Sequence, residues 1–452
     1  MPEEGKEGTL AKWSPPRVAL LLRRERLLKR LDELLADASV WVTGSPGAGK
    51  TALIASYVEA RTLPALWYDV DSGDSDPVVC CDYLRRAALR CSGGAAALPV
   101  PEPALAGRIE RFLAQFFAAF YRAIAPRRLV VFDNCHQAVG APDFQELLRI
   151  AWRETPSGGR WLIASRTPPP PSFSRLLANG LLTILPADEL LFREDESLAL
   201  QRLIASPQPP RRLEAMRQLH QLTGGWPAGI RLLAQVERVD ASTLPNSVVG
   251  THTALFHYFA SEAFDRQAPS VQRTLLRLAS LARITPVMAE LLAGGAATRT
   301  LERLHENHLF TSRHGSGDEV HYEFHPLLRE FLRHRARADL PADERRSVED
   351  AAIALLVASD ELDAAVSLLI AGAQWHHLRA LILRSAERLV ARGWQRTLNG
   401  WFKALPEELF PTDPWLAYWR GVALAPFDPA ATHIYLERAY HQFVSAALGD
   451  GA

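Results

Sequence analysis

The 452-residue sequence predicts a multidomain α/β plus α molecule: a parallel sheet, then a helical subdomain, a winged helix, and the start of a helical-repeat arm. Three observations carry that expectation. Short, near-continuous apolar runs alternate with helical patterns as far as Pro186, which suits strands covered on both faces. One of those runs enters a glycine-rich turn that opens a helix. Beyond Pro186 helical periodicity dominates, interrupted by one pair of extended segments around a polar turn.

Taken in order, Val40-Trp41-Val42-Thr43 is the first strand and 51–61 the helix after the turn. Residues 65–70, 129–132, 161–164 and 181–185 supply further strands, with helices at 77–91, 104–124 and 142–154. Helices are then expected at 194–204, 211–222 and 227–237, and a polar break at 239–250 separates them from helices near 267–281, 285–293 and 297–306. Segments 309–312 and 320–324 flank the turn 313–318 and precede a helix from Pro326, an order that resembles a winged helix. From Asp343 only helical patterns remain, at 343–357, 361–371, 374–391, 413–424 and 428–446. Paired helices with short turns suit a TPR-like repeat arm, although no fixed period emerges. The expected division is a flexible terminus 1–16, a P-loop domain 17–186, a small helical domain and linker 187–250, a winged-helix-like domain 251–338, and an incomplete arm 339–452.

Composition narrows the function classes. Lys plus Arg number 51 and Asp plus Glu number 51, so no overall cationic field advertises nucleic acid or an anionic membrane. The run Arg333-His334-Arg335-Ala336-Arg337 is explained as well by a solvated helix end, and no direct sequence-specific DNA binding is expected from this chain alone. Cys80, Cys81, Cys91 and Cys135 are too few for a disulfide framework and read as buried thiols. The first 13 residues are polar and charged, and no apolar stretch is long enough for a membrane span, so the cytoplasm is the default.

Gly44-Ser45-Pro46-Gly47-Ala48-Gly49-Lys50-Thr51 fits the P-loop pattern, with a strand before it and a helix after it. Its glycines let backbone N–H groups curl around phosphate, Lys50 reaches the β and γ phosphates, and Thr51 offers a hydroxyl to Mg2+. Asp133 ends an apolar strand and can hold magnesium-bound water if that strand lies beside the P-loop strand; a helix-capping aspartate is the plain alternative. Asn134 stands where a second acid would polarise water, and cannot accept a proton as a carboxylate does. His136 can orient the γ phosphate or simply pack, and Arg166 can sense phosphate charge or serve as an ordinary loop arginine.

Together these residues resemble the signal-transducing P-loop ATPases called STAND proteins, in particular the MalT-like group of ATP-dependent bacterial transcriptional regulators. The resemblance runs over about residues 17–452 and is strongest at the P-loop. It implies an ATPase, a small helical domain, a winged helix and a helical sensor arm, here without the LuxR-type helix-turn-helix domain that ends such proteins. The stretch 18–35 resembles the segment preceding the family's P-loop, which helps enclose adenine. Asp133 and Asn134 fall on a pair that is usually acidic, and Arg166 on the first sensor. Gly225-Trp226-Pro227 resembles the glycine-x-proline adenine contact, with Pro227 suited to a first helical turn. His325 in Phe324-His325-Pro326 resembles the histidine that holds ADP in the closed state; without the resemblance it reads as a helix-start histidine satisfied by backbone. Aromatic-rich segments at 401–406 and 414–421 resemble the early sensor arm.

The implied function is an ATP/ADP switch with slow magnesium-dependent hydrolysis, in which Asn134→Asp would quicken cleavage. An inducer or regulatory protein on the arm and nucleotide-dependent self-assembly are the implied partners. The alternatives are a protein-binding helical scaffold with a vestigial site, and a phosphotransferase or metabolic ATPase.

Overall fold

The computed structural model of the chain describes residues 11–13, 15, 22–94, 97–100, 109–125, 129–204, 217, 220, 221, 223–233, 260, 261, 264, 265, 267–306, 310–315, 317, 320–410 and 413–449. The expected terminus 1–16, the helix at 211–222, the break at 239–250, and parts of 18–35, 104–124, 227–237 and the hairpin turn lie wholly or partly outside them. The chain divides into two compact units.

The first unit comprises Met1–Asp69, Arg127–His136 and Arg160–Leu355. It opens with α1 (Glu25–Asp37), whose Leu27, Leu28 and Leu31 form a buried stripe. Then come β1 (Ser39–Thr43), α2 (Lys50–Ala60) and β2 (Ala65–Asp69). In the second unit lie α3 (Pro77–Cys91) and α4 (Ile109–Ile124). The chain returns to the first unit for β3 (Leu129–Asp133), then forms α5 (Pro142–Arg153) in the second. The first unit is completed by β4 (Arg160–Ser165), α6 (Ser174–Ala178), β5 (Leu182–Leu185), α7 (Glu194–Ile204) and α8 (Pro227–Leu233), followed by the winged helix.

All five strands pair in parallel in the order β2-β3-β4-β1-β5. The strand of Asp133 therefore does not lie beside the P-loop strand: β4 runs between them, with Val42 opposite Ala164 and Val131 opposite Leu162. Hydrophobic spacing identifies strands without ordering them, which is why the sequence offers adjacency only as a condition. One face packs Val40, Val42, Val131, Leu162 and Ala164 against α1 and against Leu53 and Ile54 of α2. Each such fully buried leucine or isoleucine contributes ~1.5–3 kcal/mol. The alternate residues Trp41, Phe132, Trp161 and Ile163 are equally buried, which accounts for the continuous apolar runs.

The winged helix consists of α9 (Pro269–Leu278), α10 (Pro286–Ala293), α11 (Ala297–Glu306), the antiparallel hairpin β6 (Thr311–His314) and β7 (His321–Phe324), and α12 (Pro326–Asp339). Thr285 caps α10 through the Met288 N–H, and Ile284 exchanges two backbone hydrogen bonds of 2.8 Å with Tyr322, adding a third strand position. Arg335, within the basic run, pairs with Asp265 and Asp339 at 2.8 Å.

Next, α13 (Ala342–Ala358) crosses into the second unit, which continues as α14 (Leu362–Ala371), α15 (Trp375–Ala391), α16 (Gln395–Ala404), α17 (Pro414–Leu424) and α18 (Pro429–Gly449). The arm is anchored within its own unit: Trp401 Nε1 donates to Asp363 at 3.1 Å, and Tyr121 of α4 donates to the Ala151 carbonyl of α5 at 2.8 Å. The four cysteines are free thiols; Cys80, Cys81 and Cys135 are buried. Among the described residues no helix is long and apolar enough to cross a membrane.

Candidate functional site

The loop at 44–51 leaves the carboxyl end of β1, where parallel sheets place their ligand sites. Gly47 and Gly49 adopt φ of +76° and +82°, conformations that favour glycine, and Gly49 caps α2 in the left-handed region. A second segment clamps the loop. Trp226 is fully buried, its Nε1 donates to the Pro46 carbonyl at 3.1 Å, and the Ala228 N–H donates to the Gly47 carbonyl at 3.1 Å. Pro227, first residue of α8, thus stands directly against the loop, with its Cβ 4.0 Å from where a Gly49 side chain would begin.

Lys50 Nζ donates to the carbonyls of Gly44 and Ser45 at 2.6 and 3.1 Å. Burial lowers its pKa to about 8, with Arg166 adding to the effect and Asp133 opposing it. Thr51 Oγ1 donates to Asp133 Oδ1 at 3.1 Å across the intervening β4, so hydroxyl and carboxylate meet although their strands are not neighbours. Burial and the nearby Asp69 carboxylate push Asp133 up to about 7, against the hydrogen bonds from Thr51 and the Asn134 N–H and the charge of Lys50. A hydroxyl and a carboxylate at this spacing, beside a glycine-rich loop and a lysine, suit a magnesium-bound polyphosphate.

Asn134 takes a left-handed φ of 54° and its Nδ2 donates to Asp69 Oδ1 at 2.8 Å. An aspartate there would face the Asp69 carboxylate without a proton to give, so the expectation of faster cleavage by Asn134→Asp meets like-charge repulsion. Asp69 also receives Arg283 Nη2 at 3.0 Å, and Arg283 Nε donates to Glu323 of β7 at 3.2 Å. A chain of polar contacts thus runs from the end of β3 to the hairpin.

Both ring nitrogens of His136 are buried without a hydrogen-bond partner among the described residues, and burial, then Arg166 and Lys50, lower its pKa to about 4. His325 is half-buried at the start of α12, where Nδ1 accepts the Leu327 N–H at 3.3 Å. That contact is the backbone-satisfied arrangement a helix-start histidine adopts, and it leaves the proton on Nε2. Burial, with Arg166, Lys50 and Arg231 following, lowers His325 to about 3, so its ring is neutral at ordinary pH. Arg231, which sequence reasoning missed, sits one helical turn after Pro227 on α8, and its Nε is buried without a partner among the described residues. Lys50, Arg166 and Arg231 therefore set one positive field over the neutral rings of His136 and His325, an arrangement suited to a polyanion.

Residues 260–344 match the MalT winged helix domain family. Over 430 residues the chain is 25% identical to the HTH-type transcriptional regulator MalT of Cronobacter sakazakii, covering 94% of this chain and 46% of that protein. It is 25% identical over 356 residues to the regulator of the same name from Vibrio cholerae, covering 76% and 38%. A solved STAND protein with a tetratricopeptide repeat sensor from Pyrococcus horikoshii superimposes with a TM-score of 0.62 at 17% identity, over 95% of this chain and 59% of that one. The chain spans less than half the length of either regulator. It is thus a distant relative of MalT-like signal-transducing regulators, with a STAND-type fold.

The match at 260–344 corrects two expectations drawn from the sequence. One describes an ATPase part without the helix-turn-helix domain; the other excludes sequence-specific DNA binding by this chain. A MalT winged helix lies within the chain, and a winged helix is a helix-turn-helix variant of a typically DNA-binding kind, so neither expectation stands. Balanced net charge describes the field of the whole chain and does not report on one face of one domain.

Proposed function

We propose that the chain is a cytoplasmic nucleotide-dependent switch that binds ATP or ADP with Mg2+ in the loop at 44–51 and hydrolyses ATP slowly. The observation that carries this reading is the meeting of Thr51 Oγ1 and Asp133 Oδ1 at 3.1 Å beside Lys50. In it the amides of 44–49 cradle phosphate, Lys50 faces the β and γ phosphates, and Thr51 and Asp133 hold the metal. Magnesium there would neutralise phosphate charge. Arg166 and His136 face the terminal phosphate, and Pro227 borders the adenine. Slow turnover follows from Asn134, whose amide is engaged by Asp69.

The distant MalT relatives and the STAND-type fold support a switch over a metabolic ATPase. ATP favours an open, assembly-competent form, whereas ADP is held with the winged helix through His325. The segments 17–186, 187–250 and 251–338 would act as nucleotide, helical and winged-helix parts, and 339–452 as the arm that receives an inducer or regulatory protein. Labelled ATP and ADP titrated with Mg2+ into the wild-type chain and Lys50→Ala test the reading. Binding at least about tenfold weaker in the variant, with unchanged circular dichroism, is expected. Equal affinity would defeat it.

A further inference from the structure

The hairpin of the winged helix carries three chemically matched side chains that the nucleotide reading does not use. His314 and His321 are direct cross-strand partners, and Glu323 lies two residues along β7, so the pleat puts all three on one face. The two imidazoles are buried and stacked, with ring centroids 4.8 Å apart and an interplanar angle of 21°. His314 Nε2 is 3.6 Å from Glu323 Oε2, and His321 Nε2 is 3.5 Å from Glu323 Oε1. The donor atoms of the three residues lie within 4.8 Å of one another.

Ligand bonds of ~2.0–2.2 Å in a tetrahedral site put donor atoms about 3.3–3.5 Å apart. The two imidazole-to-carboxylate separations run to different oxygens of Glu323, so the carboxylate must offer both or turn to offer one, and donors now within 4.8 Å must draw in by about an ångström. We infer that His314, His321 and Glu323 form a site for a divalent transition ion of the zinc class, with a fourth position open to water. Two imidazoles and one carboxylate are the donor set such ions take in open sites, whereas magnesium and calcium take oxygen. Glu323 is the partly exposed member, at 26% side-chain exposure against 10% and 5% for the histidines, and so provides the entry side.

Glu323 also accepts a hydrogen bond from Arg283 Nε at 3.2 Å. Arg283, and Arg329 which also feels the Glu323 charge, oppose an arriving ion; Arg283 has a second partner to turn to, since it also holds Asp69 at 3.0 Å. Strands of four residues make a weak hairpin by themselves, and an ion across them would pin its register.

The test uses the untagged full chain without nucleotide, so that its outcome is separate from that of the switch. Cobalt(II) is titrated and followed by its visible absorption, with zinc added in competition. One equivalent should bind and give the bands of a four- or five-coordinate ion, and zinc should displace it. His314→Gln and His321→Gln should each weaken binding at least about tenfold, while His433→Gln, at an exposed histidine–glutamate pair on α18, should not. If either hairpin variant fails to fold, X-ray absorption of the wild-type zinc complex decides: two imidazoles and only nitrogen or oxygen donors support the site. No saturable binding, binding that survives both hairpin variants, or sulfur among the ligands would overturn it, leaving the imidazoles as hydrogen-bond partners of Glu323.

Discussion

Two ionisable groups at the carboxyl end of the sheet are displaced toward each other, Asp133 up to about 7 and Lys50 down to about 8. Magnesium requires the aspartate charged, and phosphate requires the lysine charged. As pH rises through 7 Asp133 gains the needed charge, and as it rises through 8 Lys50 loses its own. Magnesium–nucleotide affinity should therefore peak between about 7 and 8 and fall on both sides, by up to ~tenfold per pH unit. Calorimetric titration from pH 6 to 9 checks this, and a flat profile would sink it. Lys50, Thr51 and Asp133 were legible because a motif fixes the first two and a strand end the third. Arg231, Arg283 and Asp69 were not, since their significance comes from meeting residues far away in sequence, and no spacing rule joins Asp69 to Arg283.

At the scale of elements, the junction between the P-loop and α8 is a tight fit. A side chain at Gly47 would begin 2.5 Å from Ala228 Cβ and 3.0 Å from Trp226, whereas one at Gly49 meets nothing closer than Pro227 at 4.0 Å. Both positions have positive φ, so Gly49→Ala measures backbone strain alone while Gly47→Ala adds overpacking of about 1–3 kcal/mol. Thermal unfolding should place Gly47→Ala clearly below Gly49→Ala; equal melting points would mean that α8 yields freely. The five strands were readable because burial on both faces leaves continuous apolar runs. Helix α16 went unread because Thr397, Asn399 and Gly400 are weak helix formers and no side chain caps its start, even though Leu398, Trp401 and Phe402 keep a helical stripe.

For the whole molecule, the proposed switch needs the nucleotide's identity to reach the winged helix, and His325 is the proposed contact. With Nδ1 occupied by the Leu327 N–H, the neutral ring can donate only from Nε2. Its replacement by alanine should weaken ADP about ten- to hundredfold relative to ATP, the size of one hydrogen bond to a charged group, and shift the chain toward its open form. Paired titrations with small-angle scattering in both nucleotides measure this, and an unchanged affinity ratio and scattering response reject the latch. Strand order lay beyond sequence reading, because it is set neither by composition nor by local periodicity.

That strand order also governs how the protein is made. β1 pairs only with β4 and β5, which end at Ser165 and Leu185, so the strand that launches the P-loop emerges long before either neighbour exists. At ~5–20 residues per second, the interval is on the order of ten seconds. During synthesis Val40, Trp41 and Val42 must wait as an unpaired apolar edge, which makes the nascent P-loop strand the segment most in need of chaperone shelter.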